Sequence, residues 1–187
     1  MEKLLGLLRI RVRRGMNLVV HDTLSSDPFV VVSMADQKMK SVVVHDNCNP
    51  EWNDELTLAI EDPNVPIILS VYDKDTFTPH DNIGEVEIDI KAYMEAMNSS
   101  PNPPEKEKEK EDGGGELDDH HIIKRVEANT ELNSLVNDSC VYWIKGKLVQ
   151  DMHLRLKNVK TGEVLIQIEW IHLPPATNSP ATAPPCT

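Results

Sequence analysis

Two short stretches hold the residue types that could do chemistry. "VYDKDTFTPHD", residues 71–81, places Asp73, Asp75 and Asp81 in one connection, and "HDTLSSDP", residues 21–28, places Asp22 and Asp27 five residues apart. One acidic loop is ordinary turn chemistry, because Asp, Thr, Pro and His all favour turns and a solvated carboxylate costs little. Two acidic loops at one end of a molecule repel each other unless a cation neutralises them. Ca²⁺ takes about six to eight oxygens, which carboxylates converging from more than one loop can supply. A calcium site is expected wherever the fold brings both loops to the same end.

The elements that must do so are strands. Short β-branched runs with period-two alternation, separated by turn chemistry, indicate an antiparallel sandwich or barrel. "LLRIRVRR" alternates from Leu8 to Val12, and "FVVVSMA", "KMKSVVV", "ELTLAI", "IILSVY" and "EVEIDI" follow as five further strands. If consecutive strands run antiparallel, the first, third and fifth connections leave from one end, and all five aspartates gather there. "KAYMEAM" then reads as a short helix that runs into "NSSPNPPEKEKEKEDGGGELDDHH". Residues 100–119 of that tract are too polar to bury an apolar area that offsets ordering entropy, so disorder is expected. Order resumes with "VYWIKGKLVQ", a hairpin turning at Lys145-Gly146, then "DMHLRLKNV" and "EVLIQIEWIHL". Residues 173–187 are expected to form a floppy tail.

Composition limits the remaining choices. The 187 residues are 40% hydrophobic and carry a net charge of −12, with Lys and Arg against Asp and Glu counting 9 to 17 over residues 1–97 and 5 to 11 over residues 98–139. Nucleic acid is not expected as a partner, because phosphate binding needs a dense basic face. No apolar run approaches the roughly 18 residues of a membrane span. Arg9, Arg11 and Arg13 interrupt any signal-peptide core near the N-terminus. Cys48, Cys140 and Cys186 are an odd, scattered set that fits a reducing compartment better than a disulfide framework. No G-x-S-x-G elbow, P-loop or H-E-x-x-H occurs, so a non-catalytic binding module is expected. "DDHH" at residues 118–121 is a poor metal site, since adjacent side chains on an extended chain point oppositely. Trp52, Trp143 and Trp170 are expected in the core.

"SDPFVVV", "NPEWN" and "VYDKDTFTPHD" resemble the loop signatures of a calcium-binding C2 domain. With "GLLRIRVRRGMNL", "NPEWNDELTLAIEDP" and "GKLVQDMHLRLKNVKTGEVLIQIEW", the chain is similar to the plant single-C2 proteins called C2-domain abscisic-acid-related proteins, across residues 5–97 and 140–172. The resemblance implies an all-β fold: an eight-stranded antiparallel C2 sandwich over residues 1–172. It places a helix and an extra β-hairpin between the sixth and seventh strands, in an insertion at about residues 91–142. It further implies Ca²⁺ held by the carboxylates of Asp22, Asp27, Asp73, Asp75 and Asp81 and by the backbone carbonyls of His21 and Lys74.

Lipid phosphates would fill coordination positions left open on the ion, while Leu24 and Phe77 enter the interface. Lys38 and Lys40 are all that remains of the basic strand usual in such proteins, and they serve either as lipid contacts or as a solvated strand face. His45 adds charge there only at acidic pH. The implied partners are an anionic phospholipid membrane, PYR/PYL/RCAR abscisic-acid receptors and an Obg-like ATPase whose hydrolysis is stimulated. The implied locations are the plasma membrane, peripherally and with calcium, the cytoplasm and the nucleus. The insertion leaves from the end opposite the aspartates and is expected to hold the partner surface. A calcium-independent scaffold with a vestigial membrane site is the alternative.

Overall fold

The computed structural model describes residues 4–19, 26–75, 79–104 and 121–173. Period-two burial organises it: along β1 (Gly6–Met16), Leu8, Ile10 and Val12 are fully buried while Arg9, Arg11 and Arg13 face outward. Chain order continues with β2 (Pro28–Met34), β3 (Gln37–Lys40), β4 (Glu51–Ile60), β5 (Ile68–Asp73) and β6 (Asp81–Glu87). After α1 (Lys91–Ser99) come β7 (His121–Val126), β8 (Ser139–Ile144), β9 (Lys147–Arg155) and β10 (Glu163–Ile171).

Two antiparallel sheets face each other, one ordered β4-β1-β10-β9-β8-β7 and the other β3-β2-β5-β6. Between them lies one core in which Val30, Val32, Leu58, Leu69, Val71 and Ile168 are fully buried. Each such side chain contributes about 1.5–3 kcal/mol of apolar burial. Trp52, Trp143 and Trp170 are buried, as expected, and Cys48 and Cys140 are free thiols. The expected eight strands plus an inserted helix and strand pair are all present, with α1, β7 and β8 between the sixth strand and the penultimate one.

Several boundaries differ from the sequence reading: β4 starts at Glu51, inside the stretch read as a connection, β6 runs Asp81–Glu87 instead of over residues 85–90, and two further differences have a visible cause. The third strand ends at Lys40 instead of continuing to residue 44, because the Ser41 hydroxyl takes the Val30 N–H at 2.8 Å and the Asp54 carboxylate takes the Val42 N–H at 2.9 Å. Side chains there replace the ladder partners that a longer strand would use. "KLVQ" and "DMHLR" are one strand, β9, since Asp151 lies in mid-strand, where it accepts bonds from the Tyr142 hydroxyl and, at 2.9 Å, from Gln167 Nε2. The Lys145-Gly146 turn is as read, with φ of 49° and 77°, the left-handed pair of a two-residue hairpin.

Helix α1 buries Tyr93 and Ala96 and packs across β7, β8 and β9. The Tyr93 hydroxyl donates to the Leu148 carbonyl at 2.7 Å and accepts the Trp170 N–H at 2.9 Å, which fixes the helix to two strands. At the far edge of the sheet, Lys124 on β7 pairs with Glu95 on the helix.

Candidate calcium and lipid site

Strand parity places three connections at one end, and their backbones interlock. The Lys74 N–H donates to the Asp27 carbonyl at 3.0 Å, the Asn47 N–H to the Ser26 carbonyl at 3.0 Å, and the Leu18 N–H to the Cys48 carbonyl at 3.0 Å. Trp52 holds the base of the tip, donating from Nε1 to the Pro28 carbonyl at 3.0 Å.

Asp73 is only 4% exposed, and its Oδ1 accepts the Asp27 N–H at 2.7 Å. The Asp27 carboxylate in turn accepts the Asp46 N–H at 2.9 Å and meets His45 Nδ1 at 2.9 Å. The Asp46 N–H, then His45, hold the Asp27 carboxyl below its ordinary value, with the charge of Lys74 adding to the effect. Asp81 stands opposite Asp73 across the β5–β6 ladder. The Asp75 N–H donates to His80 Nδ1 at 3.1 Å.

Asp27, Asp73 and Asp81 are therefore brought to one end, with Lys74 and Asp75 next in the chain. His21, Asp22, Leu24 and Phe77 lie outside the described residues. Among the described residues, no group of three or more His, Cys, Asp or Glu side chains is gathered closely enough to hold a metal ion. The described donors nonetheless suit a hard cation: carboxylates and backbone carbonyls supply oxygen alone, and the Ser26 hydroxyl is buried with no hydrogen-bond partner among the described residues.

Lys38 and Lys40 are exposed on β3, as a lipid contact requires, and the Lys40 ammonium stands 5.6 Å over the Phe29 ring. Phe29 stacks on Tyr72 with ring centroids 5.7 Å apart, and His80 meets its edge at 5.1 Å. Sequence reasoning missed this aromatic group and the His45–Asp27 contact. Both were accessible to parity: Phe29 and Tyr72 are adjacent in chain to the core residues Val30 and Val71 and so share the opposite face of the sheet, where Phe29 is itself covered, and "HDN" lies in the third connection, which leaves from the aspartate end.

The comparisons with known proteins agree with this architecture. Residues 6–107 match the C2 domain family. Protein C2-DOMAIN ABA-RELATED 8 of Arabidopsis thaliana is 50% identical over 92% of this chain and 96% of its own length. GTPase activating protein 1 of Oryza sativa subsp. indica is 44% identical over 91% of this chain and 94% of its own. Among solved structures, the calcium-bound tandem C2 domains of Extended-Synaptotagmin 2 superpose with a TM-score of 0.57 at 18% identity, covering 92% of this chain and 48% of that one. This chain thus spans about half of that two-domain structure. The first C2 domain of plant Extended Synaptotagmin 1 gives a TM-score of 0.54 at 18% identity, covering 92% and 99%. At such identities these structures speak for the fold alone. Taken with the interlocked acidic tip, the extent of the sequence matches shows that this chain belongs to the C2-domain ABA-related family of C2 domain proteins.

Proposed function

We propose that the protein is a calcium-dependent phospholipid-binding adaptor, without catalytic chemistry of its own, that recruits abscisic-acid receptors to the plasma membrane and stimulates an Obg-like ATPase. Family membership supports the adaptor role, and the name of the rice relative supports the action on a nucleotide hydrolase. The observation that carries the calcium reading is the linkage of Asp27 to Asp73 across two connections.

Asp22, Asp27, Asp73, Asp75 and Asp81, with the carbonyls of His21 and Lys74, would hold the ion, which when bound supplies positive charge and open coordination positions for lipid phosphate. The chain's own part is to fix the donors. The Asp27 N–H orients the Asp73 carboxylate, while the Asp46 N–H and His45 orient that of Asp27. Lys38 and Lys40 add attraction to anionic headgroups at about 1 kcal/mol each. Leu24 and Phe77 enter the interface, and residues 91–142 form the partner surface. The locations that follow are the plasma membrane, the cytoplasm and the nucleus.

The test is co-sedimentation with phosphatidylserine vesicles, with and without calcium, for the native chain and for Asp22→Ala/Asp27→Ala. Binding that needs calcium and disappears in the double variant supports the proposal. A calcium-independent scaffold is favoured instead by one feature: β3 stops at Lys40 and is followed by apolar Val42, which is 56% exposed. Binding that ignores both calcium and the substitutions would establish that second reading.

A further inference from the structure

A groove of about 480 Å³ opens at the end of the sandwich opposite the tip. That volume lies within the range of about 300–1,000 Å³ typical of binding clefts. One wall is the β4–β5 connection, Pro63 to Pro66, which two prolines and a local turn hold in shape. In that turn Asp62 Oδ1 accepts the Asn64 N–H at 2.9 Å and Asn64 Nδ2 at 2.8 Å.

The other wall is one stripe of α1. Lys91, Met94, Glu95 and Asn98 follow the i, i+3, i+4, i+7 spacing of a single helix face, while Tyr93 and Ala96 turn inward to the sheet. The floor is Ile67, Ile88 and Ile90, all buried, and the Ile88 N–H donates to the Ile67 carbonyl at 2.8 Å to close it. Val65 and Met94, both half-buried, are the apolar contacts left for an occupant.

The rim is acidic. Glu87 and Asp89 are exposed beside the groove, and Glu61 and Asp62 precede its loop. Lys91 is the one cation among the described lining residues. Glu95 is already paired with Lys124, so it reads as structural. Glu87 makes no ion pair among the described residues, and among them the Asp89 carboxylate accepts the Lys91 N–H, at 2.9 Å.

We infer that this groove is a docking site for a basic peptide segment of a partner protein, one with a large apolar side chain flanked by Lys or Arg. The apolar residue would enter between Val65 and Met94, and its flanking cations would meet Glu87 and Asp89. Charge complementarity selects this occupant over an acidic segment, which the rim repels, and the apolar floor selects it over a merely cationic one. The inference goes beyond the tip and stands whether or not calcium binds there.

The test needs neither lipid nor calcium. Binding of a fluorescein-labelled hexapeptide, Arg-Lys-Leu-Phe-Lys-Arg, to the full chain is followed by fluorescence polarisation. One control peptide has both apolar residues replaced by glycine, and a second has its four cations replaced by glutamate. The parent peptide is expected to bind several-fold more tightly than either. Glu87→Lys/Asp89→Lys should weaken it by about fivefold or more, as the loss of two exposed charge pairs implies. The equally charge-altered Asp36→Lys/Glu51→Lys, both positions exposed and outside the groove, should not. Met94→Asp is a second variant, and thermal melting confirms that each protein is folded. Equal binding of the glycine peptide, or equal weakening by the two charge-reversal pairs, would overturn the inference in favour of diffuse attraction to an acidic protein.

Discussion

Replacing Tyr93 by phenylalanine removes one oxygen from the place where the helix meets the sheet. The β9–β10 ladder pairs Gln150 with Ile168 and Val149 with Glu169, so the next opposed pair would be Leu148 and Trp170. The Tyr93 hydroxyl stands in that rung, donating to the Leu148 carbonyl at 2.7 Å and accepting the Trp170 N–H at 2.9 Å. The side chain is only 1% exposed. Two buried hydrogen bonds are worth about 1 kcal/mol each, and leaving a donor and an acceptor unpaired adds about 1–3 kcal/mol apiece before the more apolar ring offsets part of it. The expected loss is about 2–4 kcal/mol, or roughly 4–16 °C in melting temperature for a chain of this size. Urea unfolding followed by tryptophan fluorescence should show a lower midpoint at an unchanged slope. A loss below about 0.5 kcal/mol would mean that the strands close the rung directly, and the reasoning from a wedged hydroxyl would fail.

Alkaline titration tests the same residue differently. Burial pushes the Tyr93 phenol up to about 12, and burial followed by the Asp151 carboxylate does the same for Tyr142, whereas an unfolded tyrosine ionises near 10. Their neutral forms therefore contribute stability that is fully present below about pH 10 and lost as pH rises through about 12. Two tyrosines ionising near pH 10 in the folded protein, read as phenolate absorbance, would contradict this. On β3, Lys38→Glu/Lys40→Glu should weaken binding to phosphatidylserine vesicles by tenfold or more, at about 1 kcal/mol per lost cation, with little change in melting temperature. Unchanged affinity would remove β3 from the lipid surface. Gly6→Ala should destabilise by about 1–3 kcal/mol through overpacking, because an added Cβ would lie 2.5 Å from the Trp170 indole. A near-neutral urea midpoint would show that the indole moves aside freely.

The strands were legible because their burial alternates along the sequence. Leu8, Ile10 and Val12 against Arg9, Arg11 and Arg13 can be read in only one way. The convergence of loops was legible because antiparallel parity is a counting argument, and the Asp27–Asp73 bond is its outcome. What escaped reading depends on side chains that do the work of backbone. No propensity marks Ser41 and Asp54 as the groups that end β3, or Asp151 as a mid-strand residue rather than a turn. The His45–Asp27 contact lay within the reach of parity but required assigning a role to the third connection as well as to the two acidic ones. The far groove has no local sequence signature, since its walls are Pro63–Pro66 and α1, separated by more than twenty residues.

The charge of the chain ties its two ends together. A net −12 would repel an anionic membrane everywhere, and the proposed function places the neutralising ion at the tip, where Asp73 and Ser26 are buried. Glu87 and Asp89 are exposed at the far end. Strand β6 spans the seven residues from Asp81 at the tip to Glu87 at the groove, about 20 Å at roughly 3.3 Å per residue. That is some two Debye lengths at physiological salt, about 8 Å each, so the far acids are screened from a membrane that the tip touches. The same charges would oppose docking by the opposite end. Under the proposed function, neutralising the tip therefore both attaches the molecule and orients it, with the acidic groove facing the cytosol. Calcium-dependent vesicle binding should then be unaltered in Glu87→Lys/Asp89→Lys. A loss of binding in that variant would mean that the sandwich does not stand on its tip.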